Sequence, residues 1–213
     1  MKLYSTIAGP GSGEYIVEKS RFLPHAMPVR TREDADRFIR EIRKEYRDAT
    51  HNVPAMVIGS KMEIQWASDD GEPQGTSGAP IVQMLTEEGL TDLVIVVTRY
   101  FGGIKLGTGG LVRAYTKAAK LAVEDAGICD IEEKRELRFR IGYPEYSRVS
   151  AFDFGGRAEI LEPEFTDRVT VSAVSEPEDR DWLLETLAGI TNGKAELIEE
   201  KDRLVTVPVR SEI

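Results

Sequence analysis

Five consecutive apolar residues, Leu93–Val97, constrain the fold of this chain more than any other feature. Such a run is typical of a strand that is buried on both faces of a sheet. A glycine-rich segment, Arg99–Tyr115, follows it and runs into a predicted helix over residues 111–126, which Gly127 closes. The centre of the chain is therefore predicted to be a buried strand that glycines join to a helix.

The residues before this strand predict a mixture of strands and helices. Residues 14–29 are rich in strand formers, and residues 31–47 carry apolar side chains at helical spacing behind an N-capping Thr31. Two short strands and a helix are expected at residues 53–59, 63–67 and 79–88. Residues 9–13 contain three glycines and are expected to form a flexible lead-in.

The second half of the chain predicts the element order βαββαβ, which is typical of a ferredoxin-like fold. A boundary near residues 132–134 divides the chain into two predicted domains, 1–130 and 131–213, and the predicted fold class is α+β. The predicted elements are a strand at 132–142, a helix at 144–154, strands at 157–164 and 168–175, a helix at 178–190 and a strand at 196–210, with a break considered at Asp202.

The charge of the chain is unevenly distributed. The net charge of −9 argues against a protein that binds nucleic acid over its whole surface. The first 130 residues hold 16 basic and 18 acidic residues, whereas the remainder holds 12 and 19. The second half is therefore expected to repel polyanions, whereas the first half is close to neutral.

Composition also bears on location and cofactors. No apolar run approaches the roughly 20 residues that span a bilayer, and the first residues do not resemble a signal peptide. Cys129 is the single cysteine, which excludes an internal disulfide and a site built from several cysteines. A cytoplasmic location without membrane association is expected, and no cofactor, metal or catalytic residue is predicted.

The first candidate site is the basic part of the central segment. Residues 93–123 contain no acid and five basic residues, three of which are spaced to form one stripe along the predicted helix. Helix N-termini with free amides bind anions, so a phosphate or nucleic-acid site is one interpretation. Tight turns and a solvated basic stripe are the other, and Tyr100 could either stack on bases or belong to the core. The candidate residues are Arg99, Tyr100, Lys105, Gly107, Thr108, Gly109, Gly110, Arg113, Lys117 and Lys120.

The second candidate site is a polar loop preceded in the sequence by one of the two histidines. Three carboxylates within four residues could bind a hard cation or act as an acid–base pair, but their spacing matches no EF-hand. A structured loop whose side chains bond to local amides, or a surface for a partner, is the other interpretation. The candidate residues are His51, Asp69, Asp70, Glu72, Gln74 and Thr76.

Four strings in this order resemble the YigZ/IMPACT family over residues 14–127. They are Lys19-Ser20-Arg21-Phe22, Ala49-Thr50-His51-Asn52, the run from Asp69 through Pro80, and the run from Arg99 through Tyr115. The chain departs from the family pattern at Val53, Met56 and Ser77, which puts a thiol-dependent role in doubt.

The resemblance implies a fold for each domain and a function connected with translation. The first domain would be an α/β domain like one shared by a small-subunit ribosomal protein and domain IV of elongation factor G, in which a left-handed crossover can occur. The second would resemble the ferredoxin-like domain V of that factor. Eukaryotic relatives regulate translation by competing for an activator of a starvation kinase, a partner that does not transfer to a bacterial-style chain.

Two functions from different classes follow. The first is a non-enzymatic, translation-linked factor that binds RNA or the ribosome, without sequence-specific DNA binding, and that could also have a protein partner in translation control. The second is an enzyme or binding protein for a phosphorylated small molecule or nucleotide, with Gly107–Gly110 on the phosphate and Asp69, Asp70 or Glu72 as acid or base. A docking module that uses the Asp69–Thr76 loop is a third interpretation.

Overall fold

The computed structural model describes residues 1–209 and shows a mixed α/β chain with antiparallel sheets, consistent with the α+β class. The chain divides into two compact units. The larger comprises Leu3–Ile131 together with the described residues 206–209, and the smaller comprises Met1–Lys2 with Glu132–Val205.

Secondary structure covers most of both units. The helices are α1 (Arg32–Glu45), α2 (Gly78–Glu87), α3 (Gly107–Ala126), α4 (Tyr143–Ser150) and α5 (Arg180–Thr191). The strands are β1 (Lys2–Ile7), β2 (Gly11–Ser12), β3 (Tyr15–Val17), β4 (Ser20–Pro28), β5 (His51–Ile58), β6 (Ile64–Ala67), β7 (Leu93–Tyr100), β8 (Ile128–Ile141), β9 (Ala158–Ile160), β10 (Glu164–Phe165), β11 (Val169–Ser175) and β12 (Glu196–Pro208).

The sheet of the larger unit has the strand order β2-β4-β7-β5-β6, with β3 added on β4. Strand β7 lies at its centre, and its side chains alternate between two cores. Ile95 packs with residues of α2 and α3 on one face, while Val94 and Val96 pack with residues of α1 on the other. The prediction that the apolar run is a strand buried on both faces is confirmed.

The smaller unit has one sheet face covered by helices. Strand β8 pairs with β11 and with β12, and β11 pairs in turn with β9 and β10. Leu137 and Phe139 of β8 pack with Val171 of β11 against Leu183 and Leu187 of α5. The order of strands and helices is the predicted one except that the strand predicted at 157–164 is divided into β9 and β10, and β12 continues through Asp202 without a break; residue 210 lies outside the described residues.

The prediction for residues 9–13 was wrong. Gly11 and Ser12 form β2, which pairs with β4, and Gly11 is buried under α3. A Cβ on Gly11 would lie 2.0 Å from the carbonyl oxygen of Ala122. The glycine is therefore required by close packing and not by flexibility, a distinction that composition alone does not make.

The start of α3 also differs from the prediction. The helix begins at Gly107 and not at Leu111, so Gly109 and Gly110 lie in its first turn. Glycine is a poor helix former, which made the segment look like a loop. Packing of Leu111 and Tyr115 into the core supports the helix instead.

Candidate functional site

A row of four paired residues crosses the sheet below α3. Tyr15 pairs with Phe22, Phe22 with Arg99, and Arg99 with His51. Paired residues on adjacent strands share a face of the sheet. The ring of Phe22 contacts that of Tyr115 edge-on, with centroids 5.1 Å apart, so this face is the one that α3 covers.

The two candidate segments meet above this row, at the carboxylate of Glu72. Arg99 donates from Nη1 to Glu72 Oε1 at 2.5 Å, and the hydroxyl of Tyr115 donates to the same oxygen at 2.7 Å. Both charged side chains are almost fully buried, Arg99 at 5% and Glu72 at 4% exposed. Glu72 belongs to the acidic loop and the other two to the glycine-rich segment, so one buried polar cluster joins the two segments.

The protonation of Tyr115 follows from its surroundings. Burial, and then the negative charge of Glu72, raise the pKa of the Tyr115 hydroxyl far above its usual range. The hydroxyl therefore keeps its proton and acts as a donor to Glu72. Together with Arg99, it satisfies the carboxylate that the loop buries.

His51 and Asp70 extend the cluster towards the surface. His51 Nδ1 lies 2.7 Å from the carbonyl oxygen of Asp70, a contact that requires the proton on Nδ1, and its Nε2 lies 3.8 Å from Glu72. The carboxylate of Asp70 accepts from Arg43 at 2.8 Å and from the amide of Asn52 at 2.7 Å. Asp70 has a φ of 49°, a strained conformation that these bonds hold in place.

Asp69 organises the start of α2. Its carboxylate accepts from the amides of Gly75, Ser77 and Gly78 at 2.7, 3.2 and 3.0 Å. Partial burial on its own raises the pKa of this carboxyl group, but the hydrogen bonds outweigh burial, and the net shift is downward. Asp69 therefore serves as the anionic cap of the helix.

The remaining loop residues divide by exposure. Thr76 is buried and donates to the carbonyl of Pro73 at 2.7 Å, whereas Gln74 points to solvent. No group of three His, Cys, Asp or Glu side chains within residues 1–209 is arranged to hold a metal ion. Every carboxylate of the loop already has hydrogen-bond partners, as the structured-loop interpretation requires.

The glycine-rich turn that leaves β7 is anchored from below. The amide of Phe101 donates to Thr50 Oγ1 at 3.0 Å, and that of Gly102 donates to Ser20 Oγ at 3.2 Å. Ser20 is buried and also accepts from Arg99 Nη2 at 3.3 Å. Sequence reasoning did not select Ser20, although it lies in one of the motifs on which the resemblance depends.

Two apolar side chains project from this turn. Phe101 is 45% and Ile104 is 40% exposed. The guanidinium of Arg99 lies 5.3 Å from the centroid of the Phe101 ring, as it does from that of Phe22. Arg99 thus supports the turn from inside the protein and is not part of the exposed charge. Tyr100 is half-buried, and its hydroxyl donates to Asp48 at 3.1 Å.

The exposed charge lies beyond the turn and along α3. We use the name basic face for Lys105, Arg113, Lys117 and Lys120, all of which are exposed. Two adjoining clefts, of about 450 and 540 Å³, share Arg113. Lys105 lines the first cleft, and Lys117 and Lys120 line the second.

The fold places acidic side chains from outside residues 93–123 next to the basic face. Lys120 is paired at 2.7 Å with Glu88, the residue that follows α2. Glu18 lines the cleft that holds Lys105, and Glu124 lines the other. The absence of acid between residues 93 and 123 is therefore a property of the chain and only partly of the folded surface. Among the described residues, Lys105, Arg113 and Lys117 make no ion pair.

The first turn of α3 is open. Among the described residues no side chain caps it, and a Cβ on Gly107 or Gly109 would meet nothing within 4 Å apart from its chain neighbours and the backbone of the helix itself. Thr108 is exposed and Gly110 half-buried beside the cleft that Lys105 lines. The glycines therefore leave the first amides of the helix accessible from outside.

Comparison with known proteins identifies the family. The model of the Impact N-terminal domain matches residues 18–123, a range that contains both candidate segments. A protein described as IMPACT family member YvyE, from Bacillus subtilis, is 36% identical over 92% of this chain and 90% of its own length. The chain belongs to the IMPACT family. The resemblance noted in the sequence is thereby confirmed.

Other proteins of the family are similar to parts of this chain, and one solved structure aligns with all of it. IMPACT family member YigZ of Escherichia coli is 44% identical over 46% of this chain and 50% of its own. The Protein IMPACT homolog of Caenorhabditis elegans is 31% identical over 45% and 39%. A solved structure titled as a hypothetical protein aligns over the full length of both chains with a TM-score of 0.60 and 27% identity.

No helix within residues 1–209 has both the length and the apolarity that crossing a membrane requires.

Cys129 is a free, buried thiol whose pKa is raised by burial and then by Asp130.

Proposed function

We propose that this IMPACT family member is a translation-linked regulatory factor that binds RNA or the ribosome through its basic face. The observation that carries the proposal is the set of three exposed cations, Lys105, Arg113 and Lys117, which have no ion-pair partner within the described residues. Unpaired cations on one surface attract phosphate oxygens by releasing counterions from the nucleic acid. The direction towards translation comes from the family expectation.

The neighbouring groups suit a single-stranded nucleic acid. Ile104 lines the same cleft as Lys105, and Phe101 is exposed on the same turn, where an aromatic ring can stack on an unpaired base. The open first turn of α3 adds backbone amides as donors to a phosphate. Arg99, Tyr100 and the loop residues His51, Asp69, Asp70, Glu72 and Thr76 would then position this surface without touching the ligand.

The alternative of an acid–base enzyme for a phosphorylated small molecule has less support. Asp69 caps α2, Asp70 binds Arg43, and Glu72 is buried against Arg99. A carboxylate engaged in this way is poorly placed to accept a substrate proton. We therefore propose no catalytic role for these three side chains.

We further propose that the two compact units are an IMPACT-type domain and a ferredoxin-like domain. The order β12-β8-β11-β9 in the smaller unit, with two helices on one face, supports the second assignment. Family membership supports the first.

Removing two cations from the basic face tests the proposed function. The double variant Arg113→Ala/Lys117→Ala is expected to bind a fluorescent single-stranded RNA of mixed sequence more weakly than the unaltered chain. Each lost phosphate contact lowers the salt slope of single-strand binding by about 0.7, so the slope should fall by about 1.4. Fluorescence anisotropy at a series of potassium chloride concentrations measures both quantities.

A matched control uses the same charges on another surface. Arg40 and Lys44 are exposed on α1, four residues apart, and make no ion pair within residues 1–209. The variant Arg40→Ala/Lys44→Ala should retain the affinity and slope of the unaltered chain. An equal loss in both double variants would show non-specific attraction, and no loss in either would contradict the proposal.

A further inference from the structure

Another cleft lies in the larger unit and shares no residue with the two clefts of the basic face. Its volume is about 530 Å³, within the range of small-molecule sites in proteins. Apolar side chains from β1, β4, α1 and β8, and from the residue that follows β4, form much of its lining: Ile7, Met27, Phe38, Ile131 and Val29. A cleft of this size and lining favours the apolar part of a ligand.

One cation on the rim of this cleft has no ion-pair partner in the part of the chain that the structure describes. Arg30 is exposed and makes no ion pair among the described residues. The other arginine, Arg37, is engaged with Asp34 at 2.6 Å. Arg30 is therefore the guanidinium that remains available to an anionic ligand group.

The acids in the same cleft differ in availability. Asp34 accepts from Arg37 and from Thr31 at 2.6 and 2.8 Å, and Asp92 accepts from the amide of Gly59 at 2.8 Å. Glu41, on the rim, makes no ion pair or side-chain hydrogen bond within residues 1–209. Arg30 can therefore pair with one anionic group, whereas Glu41 repels any further negative charge, which disfavours a polyanion such as RNA.

Tyr4 adds a neutral donor to the lining. Partial burial, and then a hydrogen bond with Asp92, raise the pKa of its hydroxyl to about 12. The hydroxyl therefore remains protonated at neutral pH. It brings a neutral polar group to the cleft beside the apolar side chains, as in sites that orient small ligands.

We propose that this cleft binds a small organic anion with an apolar body and a single carboxylate, sulfonate or phosphate-ester charge. The anionic group pairs with the guanidinium of Arg30, whose fork matches the oxygens of such groups. The apolar body lies against Ile7, Val29 and Phe38 and gains free energy by leaving water. This site is independent of RNA binding on the basic face.

Two fluorescent probes that differ in charge test the proposal. Anilinonaphthalene sulfonate carries the apolar body and the anion, and N-phenylnaphthylamine carries the body alone. The full chain is expected to bind both probes. Arg30→Met is expected to lower the affinity for the sulfonate about fivefold and to leave the affinity for the neutral probe unchanged. The control Arg40→Met removes an exposed charge of α1 that does not line the cleft, and it should change neither affinity.

A variant that fills the cleft tests whether the two probes bind in the cleft or elsewhere on the protein. Ala8 lines the cleft with an exposed side chain, so Ala8→Trp should occupy its mouth and reduce the binding of both probes without a change in thermal midpoint. The proposal is overturned if the folded chain fails to bind the sulfonate, if Arg30→Met binds it as well as the unaltered chain does, or if Ala8→Trp binds both probes fully. RNA binding should be the same in all these variants.

Discussion

Replacing Arg99 with alanine is expected to lower the free energy of unfolding of the larger unit by about 3–5 kcal/mol. The substitution leaves the carboxylate of Glu72 buried and without its charged partner, next to the hydroxyl of Tyr115. It also removes the group that lies against the rings of Phe22 and Phe101. The loss therefore combines an unpaired buried charge with a gap below the glycine-rich turn.

Urea denaturation followed by the fluorescence of Trp66 measures this loss. The chain has two tryptophans, so a Trp182→Phe background leaves only the one in the larger unit. Arg113→Ala is the exposed control and should change the free energy of unfolding by less than about 0.5 kcal/mol. Adding Glu72→Gln to Arg99→Ala should recover part of the loss, because the unpaired charge is gone. A cost below about 1 kcal/mol for Arg99→Ala would contradict the buried pair.

Replacing Gly102 with alanine is the second change with a large expected effect. An added Cβ would lie 2.0 Å from the carbonyl carbon of Lys19 and 2.5 Å from the amide nitrogen of Ser20. Both are backbone atoms, so the turn has to move away from β4 and lose its hydrogen bond to Ser20 Oγ. We expect a loss of about 3 kcal/mol, the upper part of the usual cost of overpacking, and a weaker affinity for RNA.

A glycine of the same segment provides the control. A Cβ on Gly109, which lies in the first turn of α3, would meet nothing within 4 Å apart from its chain neighbours and the backbone of the helix. Gly109→Ala is therefore expected to stabilise the chain by up to about 1 kcal/mol. Thermal denaturation of both variants distinguishes the two glycines, and equal midpoints would show that the turn is not held against β4.

The elements of the fold were largely predictable from local patterns. The unbroken apolar run of β7 predicts a strand buried on both faces, and the helical spacing of apolar residues in α1 predicts a helix with one buried face. Both patterns are local, so the sequence alone was enough to find them. The glycines did not state their role. The close packing of β2 against α3 requires a glycine at position 11, whereas Gly109 lies within a helix. Only the residues that surround each glycine in the folded protein distinguish these two cases.

The candidate site was predictable in its parts and not in its arrangement. Its two segments were found, but the fate of Arg99 depends on Glu72, which lies 27 positions away and meets it only through loop closure. A charged residue at the end of a buried strand looks like a surface cation in sequence. The same limit applies to the acid-free segment, since Glu18 and Glu88 reach the basic face from other elements.

The most direct test of the central claim is to map RNA contacts on the full chain by amide chemical-shift changes in NMR spectra. On addition of a single-stranded RNA, we expect the largest changes at Phe101 and along residues 105–120, diminishing as potassium chloride is raised. Changes centred on α1 or on residues 132–205, or no change in a folded sample at low salt, would contradict RNA binding through the basic face.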